Sequence, residues 1–387
     1  MNTMRPYQLS LLLLMFANGD LFATDRVVSV TRTYNTISSA VAASADGDRI
    51  LVEPGVYNES ITLSKSISLH PNVEGGRYTL NGGLLLNAVD GRTITVSGMR
   101  ILEGLSMTGA LTTLTTVRIV DSYVPAIDLV DPFVRLEMYR DTVLARVRFS
   151  AGHVIGSTII GTSFSGSGVV ELVGPTALSG NVQIIGNKIG QPAVQAGVYG
   201  VFVNSKTVWH IENNFVQVRD IGSAIGLALP AHPYTTACTI DNNTLFTDSS
   251  TPPGPSGFAT AVDPFGSTAF NLSTANNAYV GFPDGWIVTT PGWDELRQSS
   301  NLACLAGNID TSTGGALAGS SLIDAGDPDP RYLDLDLTTN DVGCYGGSNS
   351  RANFTTAMGS AVVGFMQAPR VVSQGEPVNI TATGFDR

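Results

Sequence analysis

One short pattern limits this chain more than any other feature. An apolar residue, two others, an asparagine, one more residue and a second apolar residue recur in phase. The copies are Ile184-Ile185-Gly186-Asn187-Lys188-Ile189, Ile211-Glu212-Asn213-Asn214-Phe215-Val216 and Ile240-Asp241-Asn242-Asn243-Thr244-Leu245. A weaker copy holds Asn277 and Tyr279, and upstream copies place Ser157, Ser122 and Met99 at the asparagine position. Successive spacings run from roughly 23 to 35 residues, the length of one solenoid coil. A coil of a few short strands cannot bury its apolar face alone. Stacked coils can, with strands about 4.8 Å apart. An inward asparagine at one turn of every coil then bonds to its neighbours above and below, and pairs turn backbone groups that would otherwise be buried and unsatisfied.

The opening of the repeat region agrees. Ile50-Leu51-Val52, Ile61-Thr62-Leu63 and Ile67-Ser68-Leu69 follow one another too closely for helices to lie between them. Ahead of them, residues 34–48 carry Ile37, Ala40, Val41 and Ala45 at helical spacing and end at Gly47. This predicts a short helix over the open end of the solenoid, where bare strand edges invite aggregation. Glycine at 42 residues and charged residues at 14% suit short strands and tight turns.

A net charge of -11 argues against nucleic acid, whose phosphates need a basic footprint. Arg5 followed by the apolar stretch Leu9 to Phe16 reads as an export signal over residues 1–23, too short to span a bilayer. No later segment is long and apolar enough to cross one, so the chain is not membrane-spanning. Cys238, Cys304 and Cys344 form neither a disulfide framework nor a zinc motif. Cys304 and Cys344 are a possible pair, and three small buried hydrophobes are the other reading.

These residues carry a resemblance. The helix stretch, Asp46-Gly47-Asp48, Ile50-Leu51-Val52 and Pro54-Gly55-Val56-Tyr57 with Glu59 resemble the entry of secreted right-handed parallel β-helix proteins of the pectate-lyase-like superfamily. Residues 320–347 resemble the closing segment of bacterial choice-of-anchor surface proteins. The resemblance implies an all-β right-handed parallel β-helix over residues 24–347, exported or held at a bacterial cell surface. It is weak for activity, because the superfamily mixes lyases, hydrolases, adhesins and proteins without a known reaction. A polar linker is expected over 348–366. Residues 367–387, with Val371-Val372 and Val378 to Thr381 around Gln374-Gly375, read as the start of an immunoglobulin-like β-sandwich that stops short.

The sharpest chemical expectation comes from aligning coils. With Ile211 and Ile240 inward, Glu212, Asp241 and His210 point outward, the two carboxylates about 5 Å apart. Such a pair shares a proton or a metal ion. In resembling pectate lyases, calcium bridges an acidic sugar and a basic residue takes the proton. Arg219, Lys188 and Lys206 are the candidates for that base. The other reading is a solvated strand face. Asp334, Asp336 and Asn340 have the spacing of a calcium loop but lack its glycine and closing Glu. Tyr199, Tyr234, Trp286 and Trp293 lie in loop-rich regions and are candidates for sugar stacking. The catalytic signatures of polygalacturonases and of the Arg-x-Pro-x-x-Arg lyases are absent, as are P-loop, GxSxG and HExxH motifs. Two functions therefore stand open: a glycan- or partner-binding module without catalysis, or a calcium-dependent lyase or hydrolase acting on uronic-acid polymers.

Overall fold

The computed structural model describes residues 23–387 apart from 88, 162–166, 175–180, 191–197, 220–224, 232–237, 248–258, 265–270, 288–294, 355–361, 368–376, 379 and 386–387. The chain winds as a parallel β-helix, and each coil visits three sheets in turn. Sheet A has twelve strands, sheet B eleven and sheet C nine. The first full coil runs Arg49–Val52 in A, Val56–Tyr57 in B and Ile61–Leu63 in C, and then returns to A at Ser68–Pro71. The pairings are parallel, so Ile50 stacks on Leu69 and Ile211 on Ile240.

Alternation makes these strands. In Arg49–Val52, Ile50 and Val52 are fully buried while Arg49 is exposed. The inward columns join into one core running from Val28 to Trp286. Each buried Ile, Val or Leu contributes about 1.5–3 kcal/mol, which no single coil could accumulate alone.

The asparagine ladder runs through the turn between A and B. Asn214 Oδ1 accepts from Asn187 N at 3.0 Å and from Asn187 Nδ2 at 2.9 Å, while Asn214 Nδ2 donates to Ile184 O at 2.7 Å. The same contacts link Asn214 to Asn243, Asn243 to Asn277 and Asn277 to Asn301. Upstream the ladder continues through Ser157, Asp141 and Ser122 to Met99 N. Asp141 is a rung that the Asn/Ser pattern passes over. Burial pushes its carboxyl well above the usual range, and its oxygens accept from Ser122 N and Tyr139 N. The residue before each rung is left-handed: Asp121, Arg140, Asn213, Asn242, Asn276 and Ser300 have φ between 50° and 58°. Asparagine and aspartate tolerate that region best after glycine.

A helix caps the N-terminal end. The helix spans Ile37–Ala43, with Thr36 as N-cap, and stops short of Gly47. Glu59 from the first coil caps it, accepting from Ile37 N at 2.7 Å and Ser38 N at 2.9 Å. At the other end, the segment after Leu302 folds back on the outside of the solenoid. Ile309, Leu322, Val342 and Cys344 pack on Phe215, Phe246, Ala278 and Val280 as a second small core. The strap continues to Phe354, which packs on Val120, Tyr139, Ile155 and Ile185. Residues 348–354, at the start of the expected linker, lie on the solenoid, where Phe354 has an apolar seat. Past it, Val362–Gln367 and Thr381–Phe385 form a two-stranded antiparallel sheet. Val371, Val372 and residues 1–22 of the expected export signal lie outside the described residues. Among the described residues, no helix is long and apolar enough to cross a membrane.

Candidate functional site

Glu212 and Asp241 do stack, one rung apart in sheet A, with His210 beside Thr239. They do not face open solvent. Glu212 is 6% exposed and Asp241 2%. The strap covers Glu212, and the next coil holds Asp241. Asn349 Nδ2 donates to Glu212 Oε2 at 3.0 Å, and Asp241 Oδ1 accepts from Ala275 N at 3.1 Å. His210 Nδ1 lies 2.8 Å from Thr239 Oγ1, which donates to Glu212 Oε1 at 3.4 Å. The signal for this cover was in the doubled asparagines. The second Asn of each pair makes the ladder, and the first holds the strap. Asn213 Nδ2 donates to Gly346 O at 2.6 Å, Asn242 Nδ2 to Asn340 Oδ1 at 2.7 Å, and Asn276 Oδ1 accepts from Asp327 N at 2.6 Å. Where Phe354 passes, the left-handed position is Gly156 or Gly186, because a Cβ there would strike its ring.

The other expected residues scatter. Arg219 lies one residue past the sheet-B strand Phe215–Val218, about 13 Å of strand from the turn that carries Asn213. Trp286 is buried, its Nε1 donating to Thr274 Oγ1 at 3.3 Å. It packs in the core and offers no face to a ligand. Tyr234 and Trp293 lie outside the described residues. Asp334, Asp336 and Asn340 do not fit a calcium ion as they stand. Asp334 accepts from Asp341 N and Gly347 N, Asp336 from Thr338 N, and Asn340 Oδ1 from Asn242. Among the described residues, no three His, Cys, Asp or Glu side chains gather as a donor set. The three cysteines are free, so Cys304 and Cys344 are not bridged.

On the outer face of sheet A, His153 sits in register between Glu137 and Gln183. Burial lowers its pKa to about 4, with Glu137 opposing and Arg135 adding to the drop. The unfolded chain then binds this proton near pH 6.5 and the folded chain does not until about pH 4. Stability from neutral His153 is complete above pH 6.5 and falls as pH drops toward 4, by about 3 kcal/mol in all. Urea midpoints measured at pH 7.5 and pH 4.5 should therefore differ less for His153→Gln than for the wild type.

The sequence reading missed the outer face of sheet C. Asp128, Arg148, Glu171 and Phe202 occupy four consecutive rungs there. Arg148 Nε donates to Glu171 Oε2 at 2.7 Å, and its Nη1 to Asp128 Oδ2 at 2.9 Å. Arg146 Nη2 stands 3.7 Å from the same Asp128 oxygen. The second oxygen of Glu171 accepts from Gly168 N at 3.0 Å, so both its oxygens are held. One planar guanidinium fixes two carboxylates on neighbouring strands, which a lysine cannot do with the same rigidity. On the next rung, Tyr199 stacks on Phe202 with centroids 5.6 Å apart and planes 16° from parallel. Gly168 opposes Tyr199 on the strand below, and a Cβ there would come within 2.7 Å of Phe202 Cβ. The glycine lets the aromatic strand lie down. The face thus grades from a half-open carboxylate through a locked ion pair to an aromatic pair. Fixed charges beside aromatic rings suit a ligand with both C–H faces and hydroxyls. With both oxygens held, Glu171 is set up as an anchor.

No family model matches the chain, and no curated protein matches it. Among solved structures, it is similar to the crystal structure of a pectate lyase, at 17% identity and a TM-score of 0.41, covering 83% of this chain and 96% of that chain. It is also similar to a pectin methylesterase variant in complex with a hexasaccharide, at 16% identity and a TM-score of 0.28, covering 76% of this chain and 93% of that one. At these TM-scores the likeness carries no argument, and the fold rests on the three sheets themselves.

Proposed function

We propose that this chain is an exported β-helix module that holds a polysaccharide on the outer face of sheet C without cleaving it. The observation that carries this reading is the Tyr199–Phe202 stack, one rung from the Glu171–Arg148–Asp128 group. A pyranose ring has an apolar C–H face for the aromatics and equatorial hydroxyls for the charges. Export is supported by Arg5 and the apolar stretch Leu9 to Phe16.

Affinity electrophoresis over a panel of neutral and uronic-acid polysaccharides tests the reading. At least one polymer should retard the wild type. Tyr199→Ala should weaken that retardation about fivefold, since an aromatic stacking contact contributes on the order of 1 kcal/mol. Equal retardation of the two proteins, or none across the panel, would sink it.

A second reading, calcium-dependent cleavage of a uronic-acid polymer, draws on the register of Glu212 with Asp241. Calcium would have to bind between those carboxylates, and the strap would have to leave them first.

A further inference from the structure

One outward column of sheet B changes character along its length. From the N-terminal side it reads Arg100, Tyr123, Thr142, Thr158 and Lys188, and then continues as Phe215, Thr244 and Ala278. The later half is covered by the chain's own C-terminal segment: Thr244 Oγ1 donates to Gly314 O at 2.9 Å, and Phe215 is fully buried. The earlier half is half-buried to exposed among the described residues. Arg100 lies over the Tyr123 ring at 5.0 Å, and neither Arg100 nor Lys188 has an ion pair among the described residues. Four rungs separate the two cations, about 19 Å. Alongside runs an apolar rail of Leu102, 41% exposed, with half-buried Leu144 and Ile160.

The complement lies on the strap. Leu335 and Leu337 are 66% and 78% exposed, with Asp336 between them and Asp334 before them. Leu337 is left-handed at φ 69°, a strained state for leucine that presents an apolar side chain to water. The tip is rooted beside Asn242 through Asn340, two coils beyond the Lys188 end of the strip along the solenoid. Two solenoids lying side by side and antiparallel bring each tip to the other's strip, and a two-fold axis closes the contact. The strip also continues the sheet face that already packs against the strap, so the same chemistry is extended to a second chain.

We propose that the protein pairs with a second copy of itself, the Leu335–Leu337 tip of each copy seated on the Arg100–Lys188 strip of the other. The proposal does not depend on the glycan reading. Sedimentation velocity of the full chain tests it. A concentration-dependent dimer is expected, weakening at least tenfold between 50 and 500 mM salt, roughly as screening of exposed charges demands. Leu337→Asp should leave a monomer with unchanged circular dichroism. Asp336→Lys and Lys188→Glu should each be monomeric alone and dimerise when mixed, because the mixture restores opposite charges at both contacts. A wild type that stays monomeric at every concentration overturns the proposal. So does a dimer indifferent to Leu337→Asp, or a mixture that fails to pair.

Discussion

Asn214→Ala is expected to cost about 3–5 kcal/mol, a large loss for a change of one small side chain. The alanine leaves Asn187 N and Ile184 O without their partners in a site from which water is excluded. Each such orphan costs about 1–3 kcal/mol, and the missing amide adds a void. Asn214→Asp should be no milder at pH 7. An ionised carboxylate only accepts, and Ile184 O and Asn243 Oδ1 both need a donor. Asp141 is tolerated in the same ladder because its neighbours are Ser122 and Ser157, whose hydroxyls donate to Val120 O and Ile155 O on their own coils. The check is native-state hydrogen exchange beside a urea titration. Protection should fall most between Ile184 and Val216 and least at the two ends. Uniform loss, or a cost under about 1 kcal/mol, would mean that the ladder is ornament to the apolar stack.

Gly346→Val should release the strap while leaving the coils intact. A Cβ at Gly346 would overlap the Asp341 carbonyl oxygen and crowd Asn340 Oδ1 at 2.7 Å. The backbone there cannot yield without losing the bond from Asn213 Nδ2 to Gly346 O. Freed, the strap uncovers Phe215, Phe246 and Glu212. The expected cost is about 3 kcal/mol or more, read as rapid proteolysis between Asp310 and Ser350 with the sheet-A signal retained. Gly307→Ala is the control, since a Cβ there meets nothing within 4 Å. If both variants resist the protease alike, the strap is not held where the structure puts it.

The fold was legible because its two signals are periodic. Alternation set each strand, and the asparagines gave the coil length, so neither needed long-range knowledge. Asp141 slipped through because an acid at a rung breaks the expected residue type while keeping the geometry. The burial of Glu212 and Asp241 was hidden for a different reason. It depends on contacts such as Asn213 to Cys344, 131 residues apart, which no local pattern records. The doubled asparagines were the trace of it, since only one Asn per coil is needed for a ladder. The sheet-C face was within reach. Asp128, Arg148 and Glu171 are separated by 20 and 23 residues, the period of the coil itself. The same alignment that placed Glu212 over Asp241 would have stacked them, had opposite charges been sought as well as like ones. Tyr199 stands out in the sequence by its loop-rich surroundings, and what the structure adds is its partner Phe202.

The claim that most needs a direct test is retention of a polysaccharide without its cleavage. The measurement is an assay of the polymer that retards the wild type most, incubated with the full chain in calcium and in chelator. Ultraviolet absorbance reports unsaturated ends, and a reducing-end assay reports hydrolysis. The account predicts no new ends under either condition, with binding still lost in Tyr199→Ala. New ends that appear only with calcium, and vanish in Glu212→Gln or Asp241→Asn, would contradict it and make the strapped carboxylates the site.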